Sequence, residues 1–184
     1  MSEAISPKRF EPVSEKSKSG QKFTIRQAEF SELPAIFRHI SNNSDSKSKF
    51  HRTVSESFLE KFAGFLNEGK FPKNYFLLVA EHPETKEILG VSDAGFIPDR
   101  KEGFCRDAIS FRKRDGIGEK LLFHKTNHLF RNLKAKIVTA TVRKANKPSM
   151  KNALKLGFLK KGDFSNEILL EAERKKFLRL NFKS

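Results

Sequence analysis

The segment Arg112-Lys113-Arg114-Asp115-Gly116-Ile117-Gly118 sets two glycines behind three cations. Glycine admits left-handed backbone conformations and lets a ligand come close to the main chain. Where such a turn opens a helix, the first amides point outward without partners and the helix dipole adds partial positive charge. The combination is an anion cradle suited to a pyrophosphate, with Arg112, Lys113 and Arg114 as mobile cations. A glycine turn beside a solvated basic run fits the same residues. The pattern is neither a phosphate loop ending in Gly-Lys-Ser/Thr nor the three-glycine dinucleotide fingerprint, so the ligand is nucleotide-like and of another kind. Further along, Asn146-Lys147-Pro148-Ser149 follows an apolar run. Asn146 can cap the helix that starts there or bind the amide groups of a ligand, and Ser149 lies one turn on, toward the same cleft.

Other reactive residues lead elsewhere. His124 and His128 have helical i, i+4 spacing, but Lys125-Thr126-Asn127 between them lacks the Glu of a zinc protease. The helical wheel puts both opposite the Leu122/Leu129/Leu133 stripe, which predicts exposed surface. Cys105 is the single cysteine; it excludes a disulfide framework and a finger-type zinc site and reads as a buried strand thiol.

The elements that position these residues follow from periodicity. Residues 1–21 are rich in Ser, Lys and Glu without an apolar period, which predicts a flexible tail. A strand begins at Lys22, a helix opens at Ser31, and Ser41 to Ser46 reads as a loop. A second helix starts at the capping-box pair Thr53/Glu56, with Phe58, Leu59, Phe62, Phe65 and Leu66 as its core stripe. Strands follow at 75–80, from Ile88 and at 104–111, then a long helix over 116–133 and a buried strand at 137–142. A short helix over 147–156 stops at Gly157, and strands are expected at 158–164 and 177–182. The order β-α-α-β-β-β-α-β-α-β-β, with antiparallel hairpins around one strand-helix-strand crossover, is a mixed α/β layer and not a doubly wound dinucleotide fold.

The 184 residues suffice for one domain, and 37 Lys+Arg against 22 Asp+Glu leave a net charge of +15. The 19 Phe residues supply a core despite a lean apolar content of 37%. No run is long and apolar enough for a membrane span, and the first twenty residues lack the apolar middle of a secretory signal, so a cytoplasmic location is expected. The charge favours an anionic partner such as nucleic acid, acidic lipid or a phosphorylated small molecule, or else reflects Lys-rich solvated faces.

In chain order, the two chemical segments resemble the GNAT superfamily of acetyl-CoA-dependent N-acyltransferases. Lys113-Arg114-Asp115-Gly116-Ile117-Gly118 is similar to the family's loop Gln/Arg-x-x-Gly-x-Gly/Ala. Asn146, Ser149, Lys155, Gly157 and Phe158 are similar to its Asn-x-x-Ser/Ala followed by Lys-x-Gly-Phe. The element order agrees, and the resemblance spans 23–182. Lys113 departs from the family's Gln/Arg, keeping a cation and losing the planar fork. Ala153 stands where many members carry a Tyr that serves as acid to the departing CoA thiolate. Branches resembling the ribosomal-protein N-terminal acetyltransferases also lack that Tyr and carry Ser at the position of Ser149.

The resemblance implies a GNAT-like, mostly antiparallel twisted sheet flanked by helices, as a single domain over 22–184. It implies acetyl transfer from acetyl-CoA, without a metal, to the amine of a protein N-terminus, a lysine or a small molecule. By the same resemblance the amides near Ile109 and Ser110 hold the pantetheine arm and polarise the thioester carbonyl. Lys113 and the loop Arg114, Asp115, Gly116, Ile117, Gly118, Glu119 and Lys120 hold the pyrophosphate, Asn146 binds the pantetheine, and Ser149 donates to the sulfur. An amine nucleophile needs a base. Glu102 is the first choice, with Asp107 beside the loop and Asp93 on the preceding strand as others. The chain is expected to act as a monomer or homodimer. The alternative is a catalytically silent module of this fold that binds nucleic acid or the ribosome through its basic surface, including Lys175, Lys176, Arg179 and Lys183.

Overall fold

The computed structural model describes residues 9–43, 49–112 and 114–182, with side chains described except at positions 43, 49–55, 57 and 107. Among these residues the strands are β1 (Val13–Lys16), β2 (Lys22–Gln27), β3 (Tyr75–Glu81), β4 (Ile88–Ile97), β5 (Glu102–Ser110), β6 (Ile137–Arg143), β7 (Leu159–Asp163) and β8 (Glu167–Glu173). The helices are α1 (Leu33–Asn43), α2 (Lys49–Glu68), α3 (Ile117–Arg131), α4 (Lys147–Lys155) and α5 (Arg174–Asn181), with a single 3-10 turn at Phe30–Glu32. The strands form one sheet in the order β1-β2-β3-β4-β5-β6-β8-β7. Every neighbouring pair is antiparallel except β5 and β6, which run parallel and are joined by α3. This is the mixed, mostly antiparallel layer expected from the periodicities.

Each face of the sheet buries its own apolar set. Leu77, Val79, Val91 and Ile109 pack with Leu33, Ile36, Ile40, Phe58 and Phe62 of α1 and α2. Phe76, Leu78, Ala94, Cys105, Val138, Ala140 and Leu170 pack with Ile117, Leu121, Leu129 and Phe130 of α3, with Ala153 of α4 and with Phe177 of α5. Cys105 and Ile109 lie four apart on one strand yet belong to opposite faces. A regular strand, with its period of two, would put them together. The cause is a bulge: Ser92 faces Ala108 and Ala94 faces Cys105, so Asp93 of β4 is matched by both Arg106 and Asp107 of β5. One extra residue reverses the facing of everything after it.

The structure corrects the expected elements at both ends of the chain. Residues 9–21, taken as tail, contain β1, which pairs with β2 from Val13↔Ile25 to Lys16↔Lys22, and Phe10 is buried against the face that carries α3. The expected strand at 177–182 is the helix α5, because the apolar set Phe177, Leu178, Leu180 and Phe182 serves a helix that buries Phe177 beside Phe123 and Phe130. The partner of β7 is β8, over Glu167–Glu173. α2 starts at Lys49, which leaves Thr53 inside the helix and not at its cap. α1 extends through Asn43, so the expected loop at 41–46 begins inside a helix, and residues 44–46 lie outside the described residues. No helix among the described residues is long and apolar enough to cross a membrane.

Candidate active site

β5 and β6 pair in register from Glu102↔Ile137 to Cys105↔Ala140, and no register pair follows. β5 nevertheless runs on to Ser110 and β6 to Arg143. The two parallel strands part beyond Cys105, and the parting begins at the bulge. The cleft so opened lies between the segment leading to α3 and the segment leading to α4.

At the end of β5 the chain turns sharply. Arg114 has φ 62° and Gly116 has φ 82°, both left-handed, and Gly116 is the N-cap of α3. Glycine is the residue that occupies such a cap at least cost, since a side chain at positive φ strains the backbone. Lys120 N donates to Gly116 O at 3.1 Å, which leaves the amides of Ile117, Gly118 and Glu119 ahead of the first helical bond. A Cβ added at Gly118 would meet nothing within 4 Å, so there is open space over this first turn. The Ser110 hydroxyl donates to Arg112 O at 2.7 Å and closes the turn from inside.

The turn between β1 and β2 braces this loop from across the molecule. Lys18 N donates to Asp115 O and Ser19 N to Asp115 Oδ1, each at 3.0 Å. The bonds from Ser19, that of its N–H above all, hold the Asp115 carboxyl below its ordinary value. The Lys18 stem lies where a Gly116 Cβ would come within 3.3 Å of it. Arg112 is engaged by Gln21 and by Glu87 Oε2, Lys120 by Glu15 Oε2 at 2.8 Å, and Glu119 by Lys155. Lys113 lies outside the described residues; Arg114 is exposed. Thus, among the described residues of the loop and its brace, Arg114 and Lys18 are exposed cations without an ion pair, and Lys18 is absent from the sequence-based set.

On the other wall, Asn146 is the N-cap of α4, its Oδ1 accepting from Ser149 N at 3.1 Å. The carbonyl end of the amide is spent on the cap and the Nδ2 end remains for a ligand. The Ser149 hydroxyl makes no hydrogen bond among the described residues and is half-buried. Ala153 is fully buried in the core on the α3 face, so that position is occupied by packing. Gly157, with φ 93°, ends α4, and Phe158 N reaches back to Ala153 O.

The carboxylates are dispersed. Glu102 is the first residue of β5, paired with Ile97 and Ile137 at the closed end of the cleft. Asp107 sits on the bulge within the parted stretch, and its side chain is outside the described set. Asp93 is fully buried on the α2 side of the bulge, where its Oδ2 accepts from Lys61 Nζ at 2.6 Å and Tyr75 OH at 2.9 Å. Its Oδ1 has no hydrogen-bond partner among the described residues.

His124 and His128 are buried, contrary to the helical-wheel expectation, because Glu15 of β1, Phe10 and Phe76 of β3 pack against the side of α3 assigned to solvent. His124 Nε2 donates to Glu15 Oε1 at 2.6 Å, and burial lowers its basicity against the pull of that carboxylate. Cys105 is buried with Thr126 Oγ1 at 3.6 Å, and burial pushes its thiol up. Among the described residues no group of three or more His, Cys, Asp or Glu is arranged to hold a metal ion.

Sequence reasoning also passed over Lys125, which is 1% exposed. Its Nζ donates to Ser92 Oγ at 2.7 Å and to the carbonyls of Asp93 and Arg106 at 3.2 Å each. The signal was available: Leu121, Lys125 and Leu129 fall on one helical stripe, with a lysine where an apolar residue belongs. For the brace, the signal was Ser19-Gly20 between two short alternating runs.

No family model matches the chain, and no curated protein matches it in sequence. Solved structures do. RimJ of Mycobacterium smegmatis, in complex with CoA-disulfide, is 15% identical over 90% of this chain and 88% of that one, with a TM-score of 0.62. The ribosomal-protein-S5-alanine acetyltransferase of Vibrio fischeri is 15% identical over 90% and 98%, with a TM-score of 0.63. The spermidine/spermine N-acetyltransferase SpeG of Vibrio cholerae is 15% identical over 85% and 96%, with a TM-score of 0.60. A sheet that parts at its one parallel pair, a glycine-capped helix at the parting and these likenesses agree: the chain has the GNAT acetyltransferase fold.

Proposed function

We propose that the protein is an acetyl-CoA-dependent N-acetyltransferase acting on a primary amine. The observation that carries this reading is the parting of β5 from β6 beside the first turn of α3, which combines a cleft with an anion cradle. The residues present fit the cosubstrate: three forward-pointing amides, open space over Gly118, and the cations of Arg114 and Lys18 suit a pyrophosphate. Acetyl-CoA supplies the activated acyl group as a thioester. The backbone at Ile109 and Ser110 lines the pantetheine path, with Lys113 and the segment 114–120 at the phosphates. Asn146 Nδ2 donates to the pantetheine amide, and the Ser149 hydroxyl donates to the sulfur as the C–S bond breaks.

The amine must lose a proton as its nitrogen bonds to the acetyl carbon, and Asp107 is the proposed base because it lies on the parted stretch of β5. Glu102 lies at the paired end. A protein N-terminus is the favoured acceptor, on the strength of Ser149 and of Ala153 in place of Tyr, with a lysine or a polyamine as the other amines to test. Calorimetric titration with acetyl-CoA, with Gly116→Glu and Asn146→Ala as controls, tests the reading. Binding by wild type that both substitutions weaken is expected, and absence of wild-type binding at millimolar acetyl-CoA overturns it.

A second reading has its own observation. Lys147, Lys151, Lys160, Lys175, Lys176 and Arg179 are exposed and carry no ion pair among the described residues. They lie on α4, β7 and α5, which adjoin: Asn181 Nδ2 donates to Leu156 O, and Leu180 packs at Gly157. This surface suits a polyanion such as nucleic acid, and it is compatible with catalysis at a nucleic-acid-rich assembly.

A further inference from the structure

A fully buried lysine is an expensive way to fill an apolar stripe. Packing alone is better served by Leu or Met, because an ammonium loses its hydration on burial and regains it only through well-placed acceptors. Lys125 has three acceptors, matching the three donors of an ammonium. They are Ser92 Oγ, Asp93 O and Arg106 O, and all three belong to the bulge. Asp93 and Arg106 are on different strands, so Lys125 ties β4 to β5 where their register slips. Arg106 and Asp107 share Asp93 opposite them on β4 and have no register partner on β6. This is the stretch where the cleft opens.

A cation on a carbonyl oxygen draws electron density along the peptide, and hydrogen bonds in a chain strengthen one another. The trans peptide points its N–H opposite to its C=O. With Arg106 O bonded to Lys125, the N–H of Asp107 is directed away from α3 and is the more polarised for it. Resting on the acetyltransferase reading above, we propose that Lys125 is a positioning residue for acyl transfer. It fixes the bulge and polarises the Arg106–Asp107 peptide, so that Asp107 N–H is the donor to the thioester oxygen. Negative charge gathers on that oxygen as the amine attacks, and a donor fixed in advance stabilises it without reorganisation.

Lys125→Met, compared with wild type, tests this by three measurements. Calorimetry gives the acetyl-CoA Kd, steady-state assay gives kcat, and NMR of the protein without ligand gives the Arg106 13C′ and Asp107 15N shifts. The expected result is a Kd within about threefold, a kcat lower by about tenfold or more, and an upfield move of the Arg106 carbonyl not matched on distant strands. A folded Lys125→Met protein with unchanged kcat overturns the proposal. So does a fall in kcat with the Arg106 shift unmoved, since the loss is then one of packing. If Lys125→Met does not fold, Lys125→Gln, which keeps an N–H donor without the charge, is read in its place: intermediate kcat and shift support the proposal, and wild-type values for both overturn it. Wild type that binds no acetyl-CoA overturns the acetyltransferase reading and the catalytic role with it, whereas normal turnover by Lys125→Met overturns the Lys125 role alone.

Discussion

Asp107 and Glu102 stand five residues apart on β5, about 16 Å along an extended strand, while a base must come within hydrogen-bond reach of its amine. Only one of them can serve a cleft that opens at the bulge. Asp107→Asn is expected to lower kcat about 100-fold and Glu102→Gln to leave it within about twofold, measured by acetyl transfer at saturating amine. A second residue-scale effect concerns pH. Burial holds His124 below the ordinary imidazole value of 6.5, opposed by Glu15 and reinforced by Lys120. Burial raises Glu15, but the bonds from Lys120 and His124 more than reverse this, leaving it below 4.5. With a folded-state value depressed, the unfolded chain takes up protons first as the solution is acidified. The contribution of His124 is therefore intact above pH 6.5 and is lost as pH falls from there toward its lower folded-state value; that of Glu15 is lost below 4.5. His39, lowered chiefly by burial, acts in the same direction as His124. The melting temperature is expected to drop between pH 7.5 and 5.5, and His124→Gln to flatten part of that slope; an unchanged slope in His124→Gln contradicts the assignment.

At the scale of elements, the glycine-capped loop and the β1–β2 turn form one device. Gly116→Ala puts a Cβ at φ 82° and against Lys18, a strain of about 1 kcal/mol. Asp115→Ala removes the side-chain anchor to Ser19 without touching the amides of α3. Calorimetry of Asp115→Ala is expected to show an acetyl-CoA Kd raised several-fold with the melting temperature nearly unchanged. The elements legible in the sequence are those that satisfy their own pattern: the β-branched run Ile137–Val142, the Phe stripe of α2, the caps of α4. β1 is four residues long and takes its order from docking, through Glu15 to α3 and the following turn to Asp115. Leu178, Leu180 and Phe182 alternate as a strand would, and only Phe123 and Phe130 opposite Phe177 decide for the helix α5. The glycine cap of α3 and the Asn146 cap of α4 were legible as motifs. The bulge was not, since a register slip depends on the neighbouring strand, and Lys125 has meaning only beside it.

Over the whole molecule, the net charge of +15 divides. Arg112, Lys120 and Lys155 are held by Gln21, Glu87, Glu15 and Glu119 around the α3 loop. The exposed set on α4, β7 and α5 has no such engagement. If it meets nucleic acid, affinity should fall steeply with salt, and Lys175→Ala/Lys176→Ala/Arg179→Ala should make the dependence shallower by about three counterions. Filter binding from low to moderate salt measures this, and a flat dependence in wild type removes the electrostatic mode. The contact between Ser19 and Asp115 spans 96 residues of chain. Synthesis thus makes the brace long before the loop it supports: β2 can pair with β3 early, but Glu15 and the β1–β2 turn meet Lys120, His124 and Asp115 only after α3 has emerged. Contacts of such separation form late, after the loop-closure entropy has been overcome. A ligand of the α3 loop consequently cannot template the early steps of folding: the loop is braced only once the first and middle thirds of the chain have met, and a ligand bound there would lock the oldest residues to much younger ones.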